Sequence, residues 1–171
     1  MTRSAALALY AALALAALGG CSLRPLYAGG SSGTVATTLG EVTIGPIEGQ
    51  AGWLMRNKLA ERLGAAGSAA RARYRLDVTL DDNITAFGIR GDRAATRERR
   101  TLRARYQLVD LRTGLTLLDA TAGSDAGIDI VSSTYATIAA EQTALEQLSD
   151  EVADQIVARL ALYASRAAPP Q

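Results

Sequence analysis

Apolar side chains take every second position in two stretches of this chain. Tyr74, Leu76, Val78 and Leu80 alternate with Arg75, Asp77 and Thr79, and Leu102, Ala104, Tyr106 and Leu108 alternate with Arg103, Arg105 and Gln107. A period of two is that of a strand with one buried and one solvated face. Arg99 and Thr101 extend the polar face of the second stretch. The segment Asp110-Leu111-Arg112-Thr113-Gly114 has the residues turns use, and Leu115 to Thr121 supplies the returning strand of an antiparallel hairpin. A shorter alternation around Val42 and Ile44, within Glu41 to Ile47, meets Pro46. Proline lacks the backbone donor a ladder needs, so this strand is short and its far end unpaired. Residues 81–91 and 123–133 read as loops.

Two other stretches have helical spacing. From Gln50 to Leu63, the residues Ala51, Met55, Leu59 and Leu63 recur four apart, with Arg56, Lys58, Glu61 and Arg62 mostly on other faces and Gly64 placed to close the end. Trp53 and Leu54 widen the apolar stripe at its start; Trp53 either packs against the sheet, the expected role, or marks a partner interface. From Tyr135 to Ser165, one stripe runs through Ile138, Leu145, Leu148, Val152, Ile156, Leu160 and Tyr163, with Arg159 and Arg166 toward the end, where cations suit the helix dipole.

Elements in the order β-α-β-β-β-α cannot each bury an apolar face alone. The economical packing is an α+β two-layer sandwich: a four-stranded, mostly antiparallel sheet with both helices on one face. The other face then carries the arginines of the third strand.

Outside this block the pattern changes. Arg3 precedes an apolar run from Ala5 to Leu18, followed by Gly19, Gly20 and Cys21. A basic start, an apolar centre too short for the roughly 20 residues of a membrane span, and small residues before the cut form a secretory leader. The junction resembles the bacterial lipobox, which implies removal of residues 1–20 and a lipidated Cys21. The residue after that cysteine, Ser22, is not the aspartate that marks inner-membrane retention in such lipoproteins, so the outer membrane is the expected location. Residues 21–40, rich in Gly, Ser and Thr from Ala28 onward, read as a flexible linker, 41–166 as one domain, and 167–171, with Pro169-Pro170, as a disordered tail.

Composition then removes most enzyme chemistries. The chain has no histidine, one cysteine and one lysine, Lys58. It lacks the commonest general base and metal ligand, and its thiol is spent on the anchor. Asp77, Asp110 and Asp119 match no calcium-loop spacing. The expectation is a protein that is not an enzyme and uses no cofactor. Charge is uneven along the chain: residues 71–112 carry eleven basic and six acidic groups, and 113–171 carry two and eight. That asymmetry predicts a basic surface from the middle of the chain and an acidic one from its end. Nucleic acid is not expected as a partner, because the chain carries an export signal and its arginines have no interleaved aromatics.

The sequence resembles the lipopolysaccharide-assembly lipoprotein family LptE in its alphaproteobacterial form. The resemblance lies in Cys21-Ser22-Leu23-Arg24-Pro25-Leu26-Tyr27 at the anchor, Trp53-Leu54-Met55-Arg56-Asn57 with Leu59, Thr96-Arg97, Tyr106-Gln107-Leu108-Val109-Asp110, and Ser133-Thr134-Tyr135-Ala136-Thr137 leading into Ile156 to Tyr163. Ser22 and Leu23 replace the usual Gly-Phe pair, and residues 28–33 form a Gly-rich insert. The resemblance implies a non-enzymatic lipoprotein that plugs an LptD-like outer-membrane β-barrel, assists the barrel's assembly and helps insert lipopolysaccharide into the outer leaflet. An auxiliary lipoprotein of an ABC-type lipid transport system is the alternative.

Within that frame, Arg99, Arg103 and Arg105 form a row that suits lipopolysaccharide phosphates, since guanidinium forks pair with phosphate bidentately. Arg73 or Arg75 on the neighbouring strand is a further member. The competing reading is that the row only solvates an exposed sheet face or pairs with carboxylates of the barrel. Leu26 and Tyr27 either dock on the barrel wall or sit at the lipid headgroups.

Overall fold

A computed structural model of the chain describes residues 33–64, 72–89 and 95–167. The leader, Cys21, Leu26, Tyr27 and residues 168–171 of the expected tail lie outside the described residues. The elements are α1 (Thr34–Gly40), β1 (Val42–Ile44), α2 (Gly49–Leu63), β2 (Tyr74–Ile89), β3 (Ala95–Asp110), β4 (Thr116–Asp129) and α3 (Thr134–Ala167). The sheet order is β1-β2-β3-β4; β1 is parallel to β2 and the other pairs are antiparallel.

The expected two-layer arrangement is what forms. On the sheet's covered face, Leu76, Val78, Leu102, Ala104, Tyr106 and Leu108 are buried against Met55, Leu59 and Leu63 of α2 and Leu145, Leu148, Val152, Ile156 and Leu160 of α3. Shortening one of these leucines to alanine costs about 2–5 kcal/mol. Ser149, fully buried on α3, stays satisfied because its hydroxyl donates to the Leu145 carbonyl at 2.7 Å. The helix layer is clasped by charge as well. Lys58 Nζ lies 2.9 Å and Arg62 Nη2 3.0 Å from Oδ1 of Asp150, and Arg62 Nε donates to Asp154.

Helix and turn ends follow local chemistry. Gly64 (φ 65°) closes α2, its N–H directed at the Ala60 and Glu61 carbonyls. In the β3–β4 turn, Oδ1 of Asp110 accepts hydrogen bonds from the N–H groups of Arg112 (2.8 Å) and Thr113 (3.1 Å), and Gly114 (φ 73°) donates to the Asp110 carbonyl.

Several expectations change. The strands are far longer than the alternation indicated: β2 and β3 each have 16 residues, about 50 Å at strand rise, and β4 has 14. Much of the two expected loops, 81–91 and 123–133, is strand. The expected linker, 21–40, overlaps α1, whose Leu39 is buried in the core. The first strand is trimmed to three residues. Trp53 is 63% exposed rather than packed on the sheet; the buried neighbour is Gly52, where a Cβ would stand 2.6 Å from the Ile47 carbonyl oxygen. Ile138 is exposed and Thr137 takes its place in the buried stripe, which puts the first turns of α3 largely outside the core.

Candidate interaction face

Alternation along the strands sends Arg75, Asp77 and Asp81 of β2, Arg97, Arg99, Arg103 and Arg105 of β3, and Asp119, Asp125 and Asp129 of β4 to the face the helices leave open. The face carries five arginines and five aspartates among the described residues. Three of the eight acidic groups of the chain's end, Asp119, Asp125 and Asp129, therefore share a face with the arginines of its middle, while the other five stand on α3. Antiparallel pairing lays them side by side, arginine strand against aspartate strand.

The pairing is specific. Arg105 holds Asp119 with two bonds, Nε to Oδ1 at 3.2 Å and Nη2 to Oδ2 at 2.8 Å, and Gln107 Nε2 adds a third at 2.8 Å. These donors, Arg105 first, lower the Asp119 carboxyl to about 2. Arg97 Nε donates to Asp129 at 2.9 Å. On β2, Arg75 forks onto Asp77 at 2.8 and 2.9 Å, so it is engaged within its own strand. Arg73 lies before β2, its guanidinium 5.2 Å from the Tyr74 ring centre.

The middle of the row differs. Arg99 and Arg103 share one carboxylate, Asp125, each at 3.9 Å. Both are more than half exposed. Arg103 also donates to the Ser124 carbonyl at 3.2 Å, and Arg99 stacks its guanidinium 5.6 Å over the Phe87 ring. Two cations share one anion at long range, with Asp81 opposite Arg103 in the register but outside ion-pair distance, while Arg105 is closely paired. The three arginines singled out by sequence thus lie together on one face, but in two electrostatic states.

Of the aspartates weighed for metal binding, Asp77 and Asp119 serve as arginine acceptors. Asp110, three residues further toward the same end of the sheet, is the cap of the β3–β4 turn. Burial opposes ionisation of Asp110, but the two turn N–H groups and the charges of Arg112 and Arg73 outweigh it and lower its carboxyl.

Sequence reading missed a second polar cluster, on the covered side. Arg100, largely buried, forks onto Asp82 at 2.8 and 2.6 Å and donates Nη1 to the Glu141 carbonyl at 2.7 Å, tying β2, β3 and α3 together. Glu98 stands on the same face; its Oε2 is buried with no hydrogen-bond partner among the described residues. Burial first, then the nearby Glu141 carboxylate, raises its carboxyl. Arg100 falls in the run Arg97-Glu98-Arg99-Arg100, where strand parity, once the strand's extent is known, is the signal that separates it from its neighbours.

The family model LptE, described as lipopolysaccharide-assembly, matches residues 39–160. Among solved structures, a Caulobacter crescentus CB15 protein described as a lipoprotein is similar at 25% identity, with 81% of this chain and all of that chain covered and a TM-score of 0.68. A minor lipoprotein from Acinetobacter baumannii shares the fold at 17% identity, covering 75% and 96%, TM-score 0.58. The rare lipoprotein B from Shewanella oneidensis does so at 10%, covering 73% and 96%, TM-score 0.55. No curated protein matches the chain significantly.

Proposed function

The chain belongs to the LptE family of lipopolysaccharide-assembly proteins, and from that premise we propose that it is the lipid-anchored plug of an LptD-like β-barrel in the outer membrane. A role in lipopolysaccharide assembly, as a lipoprotein of the cell envelope, follows from the family and the lipoprotein relatives. In the finer reading, residues 1–20 are removed, Cys21 carries the lipid, and the wedge from Thr34 to Ala167 stands in the barrel lumen.

The observation that carries this reading is the family match over residues 39–160. The open face supports it physically. Lumens of plugged barrels are polar, and a face with equal numbers of arginines and aspartates, most of them paired, suits such a lumen. The protein works by occupying space and presenting groups; it is not an enzyme.

For the lipopolysaccharide itself, the phosphate contact falls on Arg99 and Arg103. A phosphate oxygen exchanged for the shared Asp125 carboxylate gives each guanidinium its own acceptor, whereas Arg105 is already saturated by Asp119. The test is co-purification from detergent-solubilised outer membranes of cells expressing the full chain, with mass spectrometry of the N-terminal peptide. Recovery of the barrel and a diacylglycerol mass on Cys21 are expected. A bare thiol, or recovery without any barrel, would overturn the reading.

A further inference from the structure

The sheet ends in two very different edges. On the β4 side, the side chain of Gln155 reaches from α3 to the middle of the strand, where its Oε1 accepts from the Gly123 N–H at 3.2 Å and its Nε2 donates to the Gly123 carbonyl at 3.3 Å. The amide imitates one residue of a neighbouring strand and blocks the edge at its centre. No such guard stands on β2 among the described residues.

β1 pairs only with Tyr74, Arg75 and Leu76 at the start of β2. Gly45 then donates to the Leu76 carbonyl at 2.9 Å, and Pro46, with no N–H, turns the chain off the edge. Since Leu76 points its carbonyl at β1, alternation turns the backbone groups of Leu80, Asp82, Ile84 and Ala86 to the same open side. Pairing with β3 continues without a shift through this region, so the parity holds. A recess of about 350 Å³ opens where β1 departs, lined by Pro46, Ile47, Glu48, Val78, Thr79 and Leu80. Beyond it, Ile84 is exposed at 38%. Glu48 and Asp81 border the edge without an ion pair among the described residues, whereas Asp82 is held by Arg100.

We propose that the free edge of β2 from Val78 to Ala86 receives an extended segment of a partner protein, which joins the sheet in line with β1. The segment places apolar side chains over Leu80 and Ile84 and basic ones beside Glu48 and Asp81. Backbone hydrogen bonds supply affinity and the alternating side chains supply selectivity. The inference rests on the proposed function for the identity of that partner, the barrel, and adds the surface by which it is held.

The test uses the full chain co-expressed with the LptD-like barrel of the same genome and purified with it in detergent. Hydrogen exchange in peptides spanning residues 78–88 is expected to slow at least about tenfold in the complex. Ile84→Pro removes one outward N–H while leaving the β3 ladder intact, and it should lower recovery of the barrel about tenfold; Ile84→Ala, which keeps the N–H, should lower it far less. If the wild-type chain recovers no barrel, the proposed function falls and this inference with it. If the barrel is recovered without protection at 78–88, the inference alone is overturned. Protection on self-association of the isolated chain, with none added by the barrel, would assign the edge to a second copy and also overturn it.

Discussion

Arg103 lies flat across Gly123, its Cδ and Nη1 occupying the space a Cβ on that glycine would need. The glycine is thus part of the arginine's site: the side chain crosses β4 there to reach the Ser124 carbonyl and Asp125. Gly123→Ala brings the ordinary strand advantage over glycine but expels the arginine. The single variant is expected to lose about 1 kcal/mol, and in an Arg103→Ala background the same change should cost nothing or stabilise, a coupling read by a double-mutant cycle in denaturant unfolding. Equal cost in both backgrounds would show that the crossing does not hold the glycine.

Acid should weaken the fold through the aspartates that pair with cations. Asp150, lowered chiefly by Lys58, and Asp119, lowered to about 2, both bind protons less readily folded than unfolded, where the value is 3.8. Their stabilisation is therefore complete above about pH 4 and lost as pH falls through the folded values, which for Asp119 is about 2. Asp150→Asn should remove the Lys58 ion pair and one of the two carboxylates that hold Arg62, at a cost of about 1 kcal/mol at neutral pH, discounted for its partial exposure, and should flatten the acid limb of a Tm-against-pH curve.

Glu98 works in the opposite direction. Its raised carboxyl means the folded chain holds the proton more tightly than the unfolded one. Stability is gained as pH falls through the folded value toward 4.5 and is reduced above it. Glu98→Gln should raise Tm at pH 7 and make no difference near pH 4; an unchanged Tm at pH 7 would place the Glu98 carboxyl in no conflict with Glu141.

The half of the sheet near the hairpin turn was legible because its covered face is apolar: Leu76, Val78, Tyr106 and Leu108 alternate there. The other half was not. Its covered positions hold Asp82, Glu98, Arg100 and Ser124: Arg100 pairs with Asp82 and reaches the Glu141 carbonyl, Ser124 donates to Glu151, and Glu98 stands near the Glu141 carboxylate, so the strands continue with no period in hydropathy. Likewise, Thr34–Gly40 reads as linker by composition, and tertiary packing of Leu39 decides otherwise. The arginine row was visible, but its partners on β4 were not. Cross-strand register places Arg105 against Thr121, one diagonal step from Asp119, and no local pattern encodes that register. Trp53 misled because its helical phase puts it next to the stripe; Gly52, with no side chain, is what lets the helix seat on Ile47.

Gln155 should matter for assembly state more than for stability. Gln155→Ala removes two hydrogen bonds to Gly123 that water can replace at an exposed edge, so the fold should lose about 1 kcal/mol at most. The uncovered strand then offers its backbone to another copy. Sedimentation velocity is expected to show concentration-dependent dimers for the variant and none for the wild type; identical profiles would mean the edge is guarded by something other than this amide.

The sharpest test of the open face separates its arginines from one another. Arg99 and Arg103 divide one carboxylate at 3.9 Å, while Arg105 has both oxygens of Asp119 at hydrogen-bond distance. An incoming phosphate must compete with these acceptors, and it meets least resistance where the existing pairs are longest. Arg99→Gln with Arg103→Gln should therefore weaken lipopolysaccharide binding to the isolated domain about tenfold or more, the loss expected when charge-assisted bonds are removed. Arg105→Gln should change it less than threefold, because that side chain is spent on the fold. Asp125→Asn gives the complementary sign: with the shared anion gone, both guanidiniums are freed and binding should tighten. Equal losses from all three arginines would mean the face acts through its total charge, and no loss from any of them would remove the row from lipopolysaccharide recognition.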